Sequence, residues 1–283
     1  MKIITTINEM RAALAQVRTQ GKKISFVPTM GNLHEGHLDL IRRAHQLGDC
    51  VVASIFVNQM QFGPSEDYTS YPHTPDADQQ KLSAENVDYC FMPSAAEMYP
   101  PTGITTHTEV FVPAVSTILC GASRPGHFKW VATVVAKLLN IVQPDVAIFG
   151  EKDFQQLTVI RSMVTDLCMP IKIVGVPTTR GAGGLALSSR NGYLTPSELA
   201  IAPTLYKTLT QTKQQLVAGE RDFAELENQA KQSLAAVGFV PDYVSIRCQD
   251  DLSEPSTSDT KLVILAAAKL GKARLIDNLQ VTL

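Results

Sequence analysis

The sequence lacks any apolar run that approaches the roughly 20 residues needed to cross a bilayer. Its first residues also lack the apolar core and the cleavage site of a secretory signal. Neither sign of charge dominates, because 25 basic residues stand against 27 acidic ones. We therefore expect small-molecule ligands, and neither a membrane nor a nucleic acid as partner.

Cysteine motifs and the common nucleotide-binding motifs are also missing. The five cysteines are scattered and form no Cys-x-x-Cys pair, which argues against a zinc or disulfide framework and indicates reduced thiols in the cytoplasm. No Gly-x-x-x-x-Gly-Lys-Ser/Thr occurs, which argues against a P-loop. No Gly-x-Gly-x-x-Gly follows a predicted strand, which argues against NAD as a cofactor.

Apolar runs alternate with helix-periodic segments over residues 24–176. This alternation is typical of an α/β fold with a Rossmann-like, doubly wound parallel sheet whose strands are buried on both faces. The predicted strands are Ile24–Pro28, Cys50–Val57, Val87–Met92, Asp145–Gly150 and Ile171–Val176. The predicted helices are Gly36–Leu47, Pro75–Glu85, Phe128–Val142 and Asp153–Asp166.

The pattern changes after Pro177. Three of the four residues 181–184 are glycine, which indicates a flexible joint. We therefore expect two domains, residues 1–177 with the parallel sheet and residues 178–283 as a smaller C-terminal α+β domain. The elements predicted there are the helices Pro196–Leu216 and Phe223–Val237 and the strands Val244–Arg247, Leu262–Ala268 and Arg274–Asn278.

The most informative segment is Pro28–Leu38, in which two histidines follow a predicted strand and precede a predicted helix. A strand-to-helix junction in an open α/β sheet lies at the carboxyl edge, where ligands bind. The helix start offers unpaired N–H groups and a positive dipole end. His34 and His37, three residues apart, are therefore expected on one helical face with access to the same bound phosphate.

Polar side chains follow two other predicted strands. Asn58 and Gln61 are neutral amides, which suit a substrate that carries hydroxyls beside a carboxylate. Lys152 can neutralise phosphate charge as it develops. Asp153 and Gln156 share a face of the helix that follows Lys152. Because carboxyl ends of parallel strands meet at one edge of a sheet, these clusters are expected near the histidines.

A third cluster lies just beyond the glycine joint. Ser188, Ser189 and Arg190 offer hydroxyls and a guanidinium, which suit a lid that closes over a triphosphate. The sequence gives these three residues no obvious partner before the triphosphate arrives. We therefore expect a mobile lid that orders when ATP binds.

Other interpretations stay open on these residues alone. His-Glu-Gly-His is one residue short of the zinc-protease spacing, yet a metal-binding histidine pair remains an alternative. Asp153 can serve only as a helix cap, or it can bind ribose or magnesium. At the level of function, the alternatives are a nucleotidyltransferase that moves AMP to a phosphate acceptor and a non-catalytic nucleotide sensor. The neutral side chains of Gln61 and Gln156 speak against a phosphate acceptor, which would favour Lys or Arg.

Taken together, these stretches closely resemble the pantothenate synthetase (pantoate–β-alanine ligase) family over nearly the full chain. The resemblance implies an ATP-dependent ligase that condenses pantoate with β-alanine through a pantoyl adenylate, releasing pyrophosphate and AMP. It also implies magnesium, a cytoplasmic homodimer and a place in coenzyme A biosynthesis. The matching stretches are Pro28–Leu38, Phe56–Pro64, Ala122–Phe128, Phe149–Leu157 and Gly184–Asn191.

The resemblance also implies roles for individual residues. His37, as the usual proton donor, would act with His34, Lys152 and Arg190 in catalysis. Gln61 and Gln156, with Asn58 beside them, would hold the substrate. No metal cluster is implied, since magnesium would arrive with ATP and meet at most Asp153. The residues implied to bind ATP are Met30, Gly31, Asn32, Leu33, His34, Glu35, Gly36, His37, Gly150, Glu151, Lys152, Asp153, Thr179, Leu187, Ser188, Ser189 and Arg190.

The chain departs from the family pattern at a few positions. Gln59 stands where proline is usual, and Trp130 stands where glycine is usual. Gly183 replaces an acidic residue, and Gly181 precedes it. We expect the Trp130 ring to narrow the site and the extra glycines to loosen the lid.

Overall fold

The computed structural model describes residues 1–64, 66–100 and 107–283. Six strands form one sheet, in which every pair of neighbours is parallel. They are β1 (Lys2–Ile4), β2 (Ile24–Thr29), β3 (Cys50–Ile55), β4 (Tyr89–Phe91), β5 (Val146–Gly150) and β6 (Lys172–Val176).

The strand order of this sheet is β1-β4-β3-β2-β5-β6. The chain therefore leaves β2 on one side to form β3 and β4, and it forms β5 and β6 on the other side. In such a sheet the loops at the carboxyl ends diverge where the order reverses, and the crevice between them is the usual ligand site. Here that point lies between β2 and β5.

Helices cover both faces of the large sheet, as predicted. Neighbouring strand residues point to opposite faces. Phe26 packs into an apolar core with the helices of one face, and Val27 packs into a second core with the helices of the other face. Both faces are apolar, which explains the continuous apolar runs in the sequence. The helices of this part are α1 (Ile7–Thr19), α2 (Glu35–His45), α3 (Pro75–Ala84), α4 (Ala95–Met98), α5 (Cys120–Ser123), α6 (His127–Val142) and α7 (Phe154–Asp166).

The C-terminal part is a small antiparallel sheet of three strands that lie in chain order, packed against helices. It has an apolar core of its own, formed by leucines of the helices and alternate residues of the strands. The predicted α+β character is confirmed, and the division of the chain after residue 177 stays a prediction. The elements are α8 (Pro196–Ile201), α9 (Thr204–Val217), α10 (Phe223–Ala235), β7 (Val240–Cys248), β8 (Lys261–Leu270) and β9 (Ala273–Thr282).

Two parts of the secondary structure differ from the sequence-based prediction. The prediction of one helix over Pro196–Leu216 was wrong, because α8 ends before Pro203 and α9 begins after it. Proline has no N–H to donate and its ring clashes with the preceding turn, so the helix breaks there. The prediction also missed β1 and α1 at the start of the chain. Within the described ranges, none of the helices combines the length and apolar character that a membrane crossing needs.

Candidate active site

A cavity of about 230 Å³ opens where the loops after β2 and β5 diverge. Its walls come from these two loops, from the loop after β3, from α6 and from the segment after β6. The structure thus brings together residues that are far apart in the sequence. The predicted site residues that line it are Met30, His34, Gly36, His37, Asn58, Gln61, Gly150, Lys152, Asp153, Gln156, Thr179, Leu187, Ser188, Ser189 and Arg190.

Some residues expected to bind ATP lie outside the lining of this cavity. The Glu35 carboxylate pairs with Arg42 on the surface of α2. The Glu151 carboxylate accepts a hydrogen bond from the Gln280 side chain at 2.9 Å. The other three residues belong to the loop after β2. Contact of all five residues with ATP stays a prediction. The five residues are Gly31, Asn32, Leu33, Glu35 and Glu151.

The loop after β2 is held in place by two side chains of α3. The buried Asp78 carboxylate accepts the backbone N–H groups of Asn32 at 2.8 Å and Leu33 at 2.7 Å. The Lys81 ammonium donates to the Leu33 carbonyl at 2.6 Å. Gly31 has a φ of +82°, and a Cβ there would lie 3.0 Å from Asp78 Oδ2. A glycine is therefore required for the loop to approach α3 this closely.

His34 and His37 lie against each other at the start of α2, with ring centroids 4.1 Å apart. The prediction that both rings reach one site is supported, although His34 is the extended residue that caps the helix and does not lie on a helical face. The His34 backbone N–H donates to His37 Nδ1 at 3.2 Å. Since Nδ1 accepts, the neutral His37 ring carries its hydrogen on Nε2.

Both imidazoles are neutral in the ligand-free protein near pH 7. Burial, and then the charge of Lys152, lower the pKa of His34 to about 4. Burial, and then the charges of His34 and Lys152, lower the pKa of His37 to about 3. His34 Nδ1 is buried and has no hydrogen-bond partner within the described part of the chain. The pair is therefore arranged to receive an anion, whose charge would raise both pKa values.

The amide end of the cavity is the part lined by Asn58 and Gln61, whose side chains are oriented by a chain of hydrogen bonds. The Trp130 carbonyl can only accept, so Asn58 turns its Nδ2 toward it, at 3.3 Å. The same Nδ2 donates to Gln61 Oε1 at 3.2 Å, and the Tyr99 hydroxyl donates to Asn58 Oδ1 at 3.0 Å. Gln61 Nε2 thereby donates to Met30 Sδ at 3.1 Å, and both residues line the cavity. Gln61 therefore presents a donor.

The backbone of Gln61 is held by a second chain, which sequence reasoning missed. His127 Nδ1 lies 2.8 Å from the Gln61 carbonyl and therefore donates to it. Arg124 donates to His127 Nε2 at 2.9 Å and pairs through two nitrogens with the Glu66 carboxylate. Burial, and then the charge of Arg124, lower the pKa of His127 to about 4. The signal was present as Arg-Pro-Gly-His-Phe, but only the fold shows what Arg124 and His127 touch.

Lys152 and Asp153 follow β5 and line the same cavity. Lys152 Nζ lies 3.9 Å from Asp153 Oδ2, and the Lys152 side chain is only 19% exposed. Asp153 is half exposed and is the N-cap residue of α7, but its side chain makes no capping hydrogen bond. Its binding of ribose or magnesium stays a prediction. Gln156, one turn into α7, lines the same cavity. The start of α7 thus brings a cation, a carboxylate and an amide to one cavity.

The expectation that Ser188, Ser189 and Arg190 have no partners without a ligand is wrong. Arg190 donates from Nε and Nη2 to the Asp67 carboxylate at 2.9 Å each. The Ser189 hydroxyl donates to the Asn32 carbonyl at 3.2 Å, and the Ser188 hydroxyl accepts the Arg190 N–H at 3.3 Å. These partners come from distant parts of the chain, which the sequence pattern does not reveal.

The glycine joint and Thr179 connect this loop to the rest of the site. Gly183 has a φ of +74°, and a Cβ there would lie 3.2 Å from Pro203. The backbone conformation thus favours glycine at this position. Thr179 lines the cavity and donates to the Asp39 carboxylate of α2 at 2.6 Å.

The apolar wall of the cavity comes from one face of α6. Val131, Val134, Val135 and Leu138 line it. The expectation that Trp130 narrows the site is wrong, because its ring packs edge-on against Tyr99 and is absent from the lining. A helix points successive residues in different directions, so Trp130 lies outside the face that Val131 and Val134 share.

The residues present fit a magnesium ion that arrives with a nucleotide. Asp153 is the acidic side chain among the described residues that line the cavity. Within the described part of the chain, no three His, Cys, Asp or Glu side chains are grouped closely enough to hold an ion themselves. The histidine pair is accompanied by cations, which favours anion binding over metal binding.

Comparisons with known proteins identify the family. The sequence model of pantoate-beta-alanine ligase matches residues 2–280. Pantothenate synthetase of Pseudomonas fluorescens is 56% identical over 283 residues, covering 100% of this chain and 99% of its own. The crystal structure of pantothenate synthetase from Thermus thermophilus is 44% identical, with a TM-score of 0.93 and full coverage of both chains. Pantoate-beta-alanine ligase from Francisella tularensis, crystallised with beta-gamma ATP and beta-alanine, is 36% identical, with a TM-score of 0.80 and coverage of 99% and 97%. The chain therefore belongs to the pantoate-beta-alanine ligase family.

Proposed function

We propose that this cavity condenses pantoate with β-alanine in two steps that both use its residues. The pantoate carboxylate attacks the α-phosphorus of ATP, which gives pantoyl adenylate and pyrophosphate. The amine of β-alanine then attacks the acyl carbon, which releases AMP and gives pantothenate. The observation that carries the proposal is the polarity of the cavity, with cations and imidazoles at one end and oriented amides at the other.

The phosphates of ATP bind at the end formed by His34, His37 and Lys152. A carboxylate is a poor nucleophile toward a polyanion, so the first need is to neutralise charge as the phosphorus is attacked. Lys152 supplies a fixed positive charge. His37 donates from Nε2, because its Nδ1 already accepts the His34 N–H. In this role the neutral imidazole stabilises the phosphates through a hydrogen bond, and ATP itself raises its pKa toward the proton-donor state.

Pantoate binds at the amide end. Gln61 presents its Nε2 as a donor, and Gln156 lines the same cavity. Asn58 is almost wholly buried and orients Gln61. The valines of α6 offer an apolar surface to the two methyl groups of pantoate, which have no hydrogen-bonding capacity.

Arg190 and the segment around it form the wall that the C-terminal domain contributes, and this domain acts as a lid. Arg190 is paired with Asp67 before ATP arrives. Closing the lid excludes water from the acyl adenylate, which hydrolyses readily. Asp153 would hold the magnesium ion of the bound nucleotide, and this ion would neutralise part of the phosphate charge. The protein works in the cytoplasm as a homodimer.

Product analysis with one substrate omitted at a time tests this function. With ATP, pantoate and β-alanine together, we expect pantothenate, AMP and pyrophosphate in equal amounts. Steady AMP formation should require β-alanine. Transfer of AMP to a phosphate-bearing acceptor, with no need for β-alanine, would instead support the nucleotidyltransferase alternative. Binding of ATP without any product would support a sensor.

A further inference from the structure

Asn278 of β9 contacts the loop that carries Lys152. Its buried side-chain amide donates to the Glu151 carbonyl at 2.8 Å and to the Lys152 carbonyl at 2.9 Å. A primary amide has two N–H groups, so both are used on two consecutive peptide units. One side chain from the C-terminal part of the chain thereby fixes the backbone from which the Lys152 side chain extends.

The preceding residue holds the other loop that faces the phosphates. The Asp277 carboxylate is 2% exposed. It accepts hydrogen bonds from two nitrogens of Arg180, at 2.6 and 2.9 Å. Arg180 also donates to the Gly184 carbonyl at 3.0 Å, at the start of the segment that leads to Arg190. Adjacent residues of one strand thus connect both loops, and both contacts are at least partly buried.

The position of the Lys152 ammonium depends on the backbone at Glu151 and Lys152. A lysine side chain is a flexible four-carbon stem with a point charge at its end, and within the described part of the chain the Lys152 ammonium has no hydrogen-bond acceptor within normal range. The position of its charge is therefore set mainly by where the stem starts. Shifts of about 1 Å at a catalytic group can cost roughly a hundredfold in rate.

We propose that Asn278 is a positioning residue for adenylation, which acts by fixing the Glu151–Lys152 peptide units so that the ammonium meets the phosphates of ATP. The inference rests on the role proposed above for Lys152. It assigns to β9 a function in the first chemical step, in addition to its place in the small sheet. Asn278 itself is not among the described residues that line the cavity.

Asn278→Asp is the most informative variant, because it keeps the shape of the side chain and replaces the donating NH2 group by one oxygen that faces the same two carbonyl oxygens. We expect the rate of the pyrophosphate burst from ATP and pantoate to fall by about tenfold or more, with the KM for pantoate changed by less than about twofold. Lowering the pH should recover part of the rate, since a protonated carboxyl regains one donor. Asn278→Ala, which adds no charge, should slow the burst in the same direction.

Asn140→Asp serves as the matched control. Asn140 is exposed on α6, and its amide donates only within its own helix, to the Ala136 carbonyl. The same chemical change there should leave the burst rate unaltered. The Tm of each variant, from thermal unfolding, checks that every variant is folded at the assay temperature.

A double-mutant cycle separates positioning from a general loss of structure. If Asn278 acts through Lys152, then Asn278→Asp should slow the burst by less than about twofold when Lys152 is already alanine, because residues that act as a unit are not additive. Equal factors in both backgrounds, or a wild-type burst rate in both Asn278 variants, would overturn the proposal. Absence of a burst from the unmodified protein would instead overturn the two-step function on which the proposal rests.

Discussion

Replacing Gln61 tests whether its amide acts as a hydrogen-bond donor to pantoate. The Trp130 carbonyl fixes the orientation of Asn58, and Asn58 in turn fixes Gln61 with Nε2 toward the cavity. Gln61→Glu keeps the size of the side chain and turns this donor into a charged acceptor. Gln61→Ala removes the group altogether. The two variants therefore separate the loss of a hydrogen bond from the introduction of a repulsive charge.

The expected sizes follow from the burial of this end of the cavity. Gln61 is 9% exposed and Asn58 is 1% exposed, so water does not readily replace a lost partner. Removing one buried hydrogen-bonding group costs about 1–3 kcal/mol, which corresponds to about 5- to 150-fold weaker binding of pantoate. Gln61→Glu should lose more than Gln61→Ala, because its carboxylate would face the negative charge of pantoate.

Isothermal titration of each variant with pantoate, and separately with ATP, gives the required dissociation constants. ATP affinity should change far less than pantoate affinity, since Gln61 lies at the amide end. Gln46→Glu, at an exposed position directly after α2, is the control for adding a negative charge. Wild-type affinity for pantoate in Gln61→Glu, or equal losses for both ligands, would refute the assigned orientation.

Three other predictions follow from the phosphate end of the cavity and from the buried imidazoles. Lys152→Ala should lower kcat by about a hundredfold or more, as expected for the loss of a preorganised electrostatic contact. Steady-state rates test this. A change below about threefold would mean that another cation neutralises the phosphate charge. His37→Ala should slow the pyrophosphate burst more than His37→Gln, which retains an N–H donor, and equal rates would contradict the donor role. The pKa values of His34, His37 and His127, at about 4, 3 and 4, keep these rings neutral in the folded protein, whereas the unfolded chain binds protons from about pH 6.5 downward. Stability should therefore fall as the pH drops from about 6.5 toward 4, and a calorimetric Tm that stays constant over this window would contradict the shifts.

The large sheet and its switch point could be predicted because their signals are local. Apolar runs with helical segments between them define β2 to β6 and their order of connection, and a strand-to-helix junction with two histidines marks the carboxyl edge. The first helix also carries a local signal, which the prediction missed. Thr6 caps it by accepting the Glu9 N–H, and Met10, Leu14 and Val17 face the core. The helix break at Pro203, between α8 and α9, could also have been predicted, because proline disrupts a helix interior.

The partners of the site residues could not be predicted, because they come from distant parts of the chain. Arg190 pairs with Asp67, 123 positions away. Asn278 contacts the Lys152 carbonyl across 126 positions. Nothing in the local pattern distinguishes such an aspartate or asparagine from an ordinary surface residue. The residue types at the site are thus visible in the sequence, while their orientation and protonation depend on the fold.

The most direct test of the account is pyrophosphate release from ATP and pantoate without β-alanine, measured by rapid quench. The account predicts a burst whose amplitude equals the concentration of active sites, because the acyl adenylate stays bound until an amine arrives. Adding β-alanine should then start steady turnover. Absence of pyrophosphate until β-alanine is added would contradict the two-step mechanism at this site.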